Sequence, residues 1–125
     1  NGFFLMIEGS NIDKAAHSNN LEEMMEELLD FDRTAGAVLD WASKHPGTLV
    51  VITADHNTGA FALTGGSREQ GEITGRFGSG SHDGVAVPVY AFGAGSGDFT
   101  GIYENTDIFN KIMNALKKGA DKPVR

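Results

Sequence analysis

An adjacent carboxylate and imidazole, Asp55 and His56, lie just beyond the apolar run 49–52, from which Thr53 and Ala54 separate them. Such a run predicts a buried strand, and open α/β folds place their ligand sites at the carboxyl ends of the strands. Carboxylate oxygens and imidazole nitrogens are both ligands that zinc accepts. The pair therefore predicts half of a metal centre at the edge of a sheet.

Further candidate ligands lie on both sides of this pair. Asp13 and His17 are four residues apart, a spacing that places both side chains on one face of a helical turn. Together with His82 they would give a zinc ion three ligands and one open position, as a catalytic zinc requires. Glu8, a hard carboxylate at the end of the apolar run 3–7, suits a magnesium ion that keeps several waters. Two zinc ions about 4 Å apart could bind the attacking and leaving oxygens of a phosphoryl transfer.

Each of these residues also has a simpler interpretation. Taken alone, an Asp-His pair after a strand is more often a hydrogen-bonded loop pair than a ligand pair, and Asp13 could merely open a helical turn. His17 could be a solvated histidine, His82 a turn residue and Glu8 a surface acid. Three of the four histidines fall beside the predicted carboxyl edge, which favours the metal interpretation. His45 is the exception, because the end of a helix dipole and solvent are enough to explain it.

The elements that must position these residues follow the pattern of an α/β domain. Buried strands are predicted for three apolar runs, namely 3–7, 49–52 and 85–92. Apolar residues at three- and four-residue steps predict a long helix over 21–42, and a last helix begins after Thr106. The order strand, helix, strand predicts parallel pairing through a right-handed crossover. The predicted fold class is α/β, with a mostly parallel sheet flanked by helices in three layers and a hairpin or insertion at 57–81.

Composition excludes several classes of protein. At 125 residues the chain is one domain at most. Seventeen acidic against ten basic residues give a net charge of -7, which argues against nucleic acid as a partner. No apolar run approaches the roughly 18 residues of a membrane span, so no membrane partner is expected. The chain has no cysteine, so any metal must be held by His, Asp and Glu.

Four blocks of the chain resemble the C-terminal third of the alkaline phosphatases, in the order that the family has them. They are FLMIEGSNIDKAAH at 4–17, VITADH at 51–56, SHDGVAVPVY at 81–90 and GIYENTD at 101–107. The resemblance covers nearly the whole chain, which also opens on an apolar run with no initiator methionine. We therefore expect residues 1–125 to be the C-terminal segment of an alkaline phosphatase domain, cut from something longer.

The resemblance implies a parent enzyme that hydrolyses phosphate monoesters and releases inorganic phosphate. In the family a serine attacks the phosphorus, and zinc-activated water then hydrolyses the phosphoserine. The implied metal ligands are Asp13, His17 and His82 for one zinc, Asp55 and His56 for the second zinc, and Glu8 for one magnesium. The family's Asp-Ser-Ala nucleophile motif does not occur in the chain. The family also uses an arginine to hold the phosphate, but the sequence around each arginine of this chain does not match that of the family's arginine. These arginines are Arg33, Arg68, Arg76 and Arg125. The segment is therefore expected to carry no catalytic nucleophile and to be inactive alone.

Two alternatives stay open at this point. Phosphomutases and sulfatases of the same superfamily share Asp-His and distant-His ligands, although the run from Glu8 through Asp13 to His17 favours the alkaline phosphatases. The other alternative is a non-catalytic metal-binding module. The resemblance further implies a periplasmic or secreted parent, which could be a homodimer.

Overall fold

The computed structural model describes residues 2–120, except for the side chains of residues 119 and 120, and Arg125 lies outside that range. Within it the α-helices are α1 (Ser10–His17), α2 (Leu21–Ser43) and α3 (Asp107–Ala120), and a short 3₁₀ helix covers Ser96–Phe99. The strands are β1 (Leu49–Thr53), β2 (Asn57–Thr58), β3 (Ala62–Ser67), β4 (Glu72–Arg76), β5 (His82–Asp83) and β6 (Val89–Gly93). They form three antiparallel pairs, β1 with β6, β2 with β5 and β3 with β4.

The apolar run 3–7 differs from its prediction as a buried strand. It has no regular secondary structure, and Phe3, Phe4 and Met6 are 70%, 70% and 78% exposed. A strand is defined by a ladder of hydrogen bonds to a neighbour, and no described strand pairs with this run. The prediction of a strand was wrong because apolar composition does not by itself supply a neighbouring strand.

The direction of strand pairing also differs from the prediction. In the β1–β6 pair, Leu49 lies opposite Gly93 and Thr53 opposite Val89, which is an antiparallel register. The predicted parallel crossover needed a first strand at 3–7. Since that run is not a strand, the predicted parallel pair does not form, and the described pairs are all antiparallel. Helices and sheets are both present in the described part of the chain.

The two predicted helices are confirmed. Asn20 precedes α2 and forms a reciprocal cap, in which its Oδ1 accepts from the Glu23 amide at 3.2 Å and its Nδ2 donates to Glu23 Oε2 at 3.0 Å. The last helix, α3, begins at Asp107, directly after Thr106. Within the described residues, none of the helices combines the length and the apolar character that crossing a bilayer requires.

The chain divides into two compact units. The first comprises Asn1–Arg33 with His56–Ala86, and the second comprises Thr34–Asp55 with Val87–Arg125. In the first unit, α1 packs on β2 and buries Ala15 and Ala16, while β3 and β4 form a hairpin. In the second, the β1–β6 pair packs on the 3₁₀ helix, whose Phe99 is buried.

Gly59 is the point in the first unit where three segments meet. Its amide donates to Ser81 O at 3.0 Å, and its carbonyl accepts from the amides of Gly78 and Ser79. Its φ is +80°, and a Cβ there would lie 2.8 Å from the Phe77 ring and 3.1 Å from Ala16 O. Only glycine fits both the backbone conformation and the space. The absence of a side chain at Gly59 leaves room for the end of α1 to lie close to this backbone.

We predict that Gly59→Ala destabilises the protein more than Gly71→Ala, the matched control. Gly71 also has a positive φ, +67°, but its Cβ would meet nothing within 4 Å. In the control the free energy of unfolding should fall by about 1 kcal/mol from backbone strain alone. In Gly59→Ala it should fall by at least about 1 kcal/mol more, because this substitution adds a steric clash. Urea unfolding followed by circular dichroism measures both losses. Equal losses would show that the space around Gly59 is not restrictive.

Candidate metal centre

Three elements of the first unit carry the candidate ligands. Helix α1 presents Asp13 and His17 one turn apart, His56 directly precedes β2, and His82 opens β5. In the β2–β5 pair Thr58 lies opposite His82, which brings the two strand ends side by side. The rings of His56 and His82 consequently stack, with centroids 3.5 Å apart and an interplanar angle of 24°.

The donor atoms of these side chains converge. His17 Nε2 lies 3.0 Å from His82 Nε2 and 3.4 Å from Asp13 Oδ2, and His82 Nε2 lies 3.6 Å from Asp13 Oδ1. Ligand atoms of Asp13, His56 and His82 also lie within 4.8 Å of one another. Atoms bound about 2.1 Å from a tetrahedral zinc are about 3.4 Å apart. The donor atoms of Asp13, His17 and His82 therefore have the spacing that one such ion needs.

The predicted ligands are not all brought together. Among the described residues, the group of close ligand atoms contains Asp13, His56 and His82, and His17 adjoins it through His82. Glu8 is exposed, two residues before α1, and is not in that group. Asp55 belongs to the second unit. The ligand roles of all six residues stay predictions, and for Glu8 and Asp55 the described geometry adds no support.

His17 is oriented by the backbone of a neighbouring loop. Its Nδ1 lies 2.8 Å from Gly80 O, and a carbonyl oxygen can only accept, so Nδ1 carries the proton and donates. The other nitrogen, Nε2, is then the one directed at Asp13 and His82. A backbone carbonyl on the far nitrogen is a usual way of fixing a metal-binding histidine.

Thr58 is a residue of the site that the sequence analysis missed. It is only 8% exposed, and its hydroxyl donates to Asp13 Oδ1 at 2.6 Å. This hydrogen bond is the main reason that the pKa of Asp13 lies below its usual 3.8. Partial burial raises the pKa, and the nearby imidazoles lower it further, namely those of His17, His82 and His56. The sequence did contain a clue, because Thr58 lies two residues after His56 and so on the same face of a strand.

Asp83 was missed as well, although it adjoins His82. Its Oδ2 accepts from Asn57 Nδ2 at 2.9 Å and from the Ala60 amide at 3.0 Å, and its Oδ1 accepts from the Val85 amide at 3.0 Å. The Val85 bond is the largest of the effects that hold the pKa of Asp83 below 3.8. An aspartate followed by Gly84 is typical of an Asx turn, which was the available clue. The carboxylate ties the segment after His56 to the segment after His82.

We predict that Asp83→Asn destabilises the metal-free protein at pH 7, because an amide offers one acceptor oxygen where the carboxylate offers two. The folded-state pKa of Asp83 lies below 3.8, so its contribution is complete above that pH and is lost as the pH falls through the folded value. The difference in unfolding free energy between wild type and variant should therefore shrink below about pH 3.8. Urea unfolding at pH 7, 5 and 3 measures it, with Asp40→Asn on α2 as the control. A difference that is constant over this range would contradict the assignment.

Comparison with known proteins gives a consistent result. The alkaline phosphatase family model matches residues 1–77. Streptomycin-6-phosphate phosphatase of Streptomyces griseus is 36% identical to this chain, in an alignment that covers 92% of this chain and 29% of the relative. Alkaline phosphatase 4 of Bacillus subtilis is 29% identical, in an alignment that covers 94% of this chain and 40% of the relative. The chain thus spans well under half the length of these relatives.

Solved structures support the same assignment. Alkaline phosphatase from the Antarctic bacterium TAB5 is 42% identical over 92% of this chain and 35% of its own, with a TM-score of 0.85. A TAB5 mutant with magnesium bound in its M3 site superposes with a TM-score of 0.84. This similarity confirms the predicted α/β class, and with the match over 1–77 it establishes that the chain belongs to the alkaline phosphatase family.

Proposed function

We propose that this chain is the C-terminal segment of a longer, metal-dependent phosphatase that hydrolyses phosphate monoesters. The observation that carries the proposal is the convergence of Asp13, His17, His56 and His82 in a chain of the alkaline phosphatase family. The family match favours this activity over those of phosphomutases and sulfatases. Phosphate monoesters are the proposed substrates and inorganic phosphate the product.

The proposed metals are two zinc ions and one magnesium in the parent enzyme. The donor set consists of carboxylate oxygens and imidazole nitrogens, which suits zinc, and Asp13, His17 and His82 would hold the first ion. His56 with Asp55 would contribute to the second, and Glu8 to magnesium. When bound, zinc lowers the pKa of a coordinated water and stabilises anionic oxygens. Magnesium is bound in the M3 site of the TAB5 alkaline phosphatase mutant, which supports magnesium as one of the proposed metals.

The residues of this chain would bind and orient rather than attack. Gly80 O directs the imidazole of His17, and Thr58 directs the carboxylate of Asp13, so the donors are in place before a metal arrives. With a net charge of -7 the chain repels phosphate overall, and bound cations would reverse that charge locally.

The proposal assigns the covalent step to another part of the parent enzyme. The chain contains no Asp-Ser-Ala sequence, and without a nucleophile no phosphoenzyme can form. Large exposed apolar side chains such as Phe4, Met6 and Ile102 support a segment that is covered by further structure. A periplasmic or secreted location and a homodimeric parent remain predictions from the resemblance.

We predict that the 125-residue chain retains about one zinc after exhaustive dialysis and that His82→Ala loses it, because removing one of three ligands opens the site. His45→Ala is the matched control. The His45 ring stacks on Trp41 with centroids 3.9 Å apart, and its Nδ1 donates to Trp41 O. Elemental analysis gives zinc per chain. Absence of zinc in the wild type, or equal loss in both variants, would contradict the ligand assignment.

We also predict that the purified chain hydrolyses an aryl phosphate no faster than zinc-containing buffer does, because the nucleophile is absent. Release of the aryl alcohol measures the rate, and alkaline phosphatase 4 of Bacillus subtilis serves as the positive control. Robust hydrolysis that a chelator abolishes would show that the chain is a complete catalyst and would overturn its description as an inactive segment.

A further inference from the structure

The hydroxyl of Thr58 lies between two proposed ligands that come from different elements. Its Oγ1 is 2.6 Å from Asp13 Oδ1 on α1 and 3.1 Å from Nδ1 of His56, which precedes β2. The residue is buried, so water does not compete freely for these bonds. Thr58 is thus connected to one proposed ligand of each zinc ion.

The chemistry of the three groups fixes the direction of both hydrogen bonds. A hydroxyl has one hydrogen, and an ionised carboxylate can only accept, so the hydrogen of Thr58 goes to Asp13. Towards His56 the hydroxyl oxygen can then only accept, which places a proton on His56 Nδ1. A neutral imidazole protonated at Nδ1 has its lone pair on Nε2. These two hydrogen bonds of Thr58 form the hydrogen-bond bridge between Asp13 and His56. The bridge determines that Nε2 is the nitrogen that His56 can offer to a metal.

The position of the hydroxyl is set by the backbone around it. Thr58 pairs with His82 in the β2–β5 ladder, and the next residue, Gly59, donates to Ser81 O. A β-branched side chain on a strand has few χ1 rotamers, so its hydroxyl is held without a large loss of entropy on bonding. The same ladder holds His82, whose ring stacks on His56.

We propose that Thr58 is a positioning residue for the metal centre: its hydroxyl orients the Asp13 carboxylate and fixes the Nδ1-protonated tautomer of His56. This inference rests on the proposed metal-binding function. Groups that orient metal ligands in this way typically change metal affinity by about 10- to 100-fold when removed.

The test compares Thr58→Val, which keeps the shape and removes the hydroxyl, with Thr58→Ser, which keeps the hydroxyl. Zinc affinity of the 125-residue chain is measured by competition with a chromophoric chelator. Thr58→Val should bind zinc at least about tenfold more weakly, and Thr58→Ser within about threefold of the wild type. Equal weakening in both variants would mean that packing matters and not the hydroxyl, and affinity within twofold in Thr58→Val would likewise overturn the proposal.

A second readout reports on His56 directly. Long-range ¹H–¹⁵N correlation spectra of the metal-free protein distinguish the two tautomers of each histidine ring. His56 should be protonated at Nδ1 in the wild type and in Thr58→Ser, and should become a mixture of tautomers in Thr58→Val. Protonation of wild-type His56 at Nε2 alone would overturn the proposal even if the valine variant does not fold.

The two readouts also separate this inference from the function on which it rests. A wild-type chain that binds no zinc but shows the expected His56 tautomer would contradict the proposed metal site and support the hydrogen-bond bridge. A chain that binds zinc but shows the other His56 tautomer would support the proposed metal site and contradict the hydrogen-bond bridge.

Discussion

The two-residue ladder between β2 and β5 is the constraint on which the candidate metal centre depends. It places Thr58 opposite His82 and Asn57 opposite Asp83, so that His56, which directly precedes β2, lies beside His82. So short a ladder contributes few backbone hydrogen bonds, and Asp83 reinforces it by accepting from Asn57 and from the amides of Ala60 and Val85. Gly59 allows the adjacent backbone segments to approach closely enough for α1 to supply Asp13 and His17.

Electrostatics explains why such a cluster suits a cation. Three imidazoles and a carboxylate lie close together, and the nearest nitrogen and oxygen atoms of His17, His82 and Asp13 are 3.0–3.6 Å apart. Electron-rich atoms at such distances repel unless a proton or a metal lies between them. Hydrogen bonds from outside the cluster fix its members: Gly80 O binds His17 and the Thr58 hydroxyl binds Asp13. The donors are therefore arranged by the fold rather than by the ion, which favours tight binding.

The balance of buried and exposed apolar residues supports the proposal that the chain is a segment of a longer protein. Among the residues whose side chains the structure describes, few apolar ones are buried, and two of these, Ala15 and Ala16, lie on α1 beside the site. Larger side chains, including those of the run 3–7, remain exposed. Burial of a large apolar side chain contributes about 1.5–3 kcal/mol, so exposing several of them leaves much of the usual driving force for folding unused. The local order around the site therefore depends strongly on hydrogen bonds and close backbone contacts.

The sequence by itself determined the helices, the strand predicted at 49–52 and the family, and it proposed the candidate ligands. Local periodicity and short motifs are properties of contiguous residues, so they can be recognised without a structure. It did not determine the direction of strand pairing or the lack of regular secondary structure in the run 3–7. Nor did it determine the hydrogen bonds that Thr58 and Asp83 make at the candidate site. Those depend on which segments meet in space: Thr58 reaches Asp13 across 45 positions, and Asp83 reaches Asn57 across 26. Only the tertiary structure decided them, since a hydrogen bond between distant residues leaves no periodic pattern in either segment.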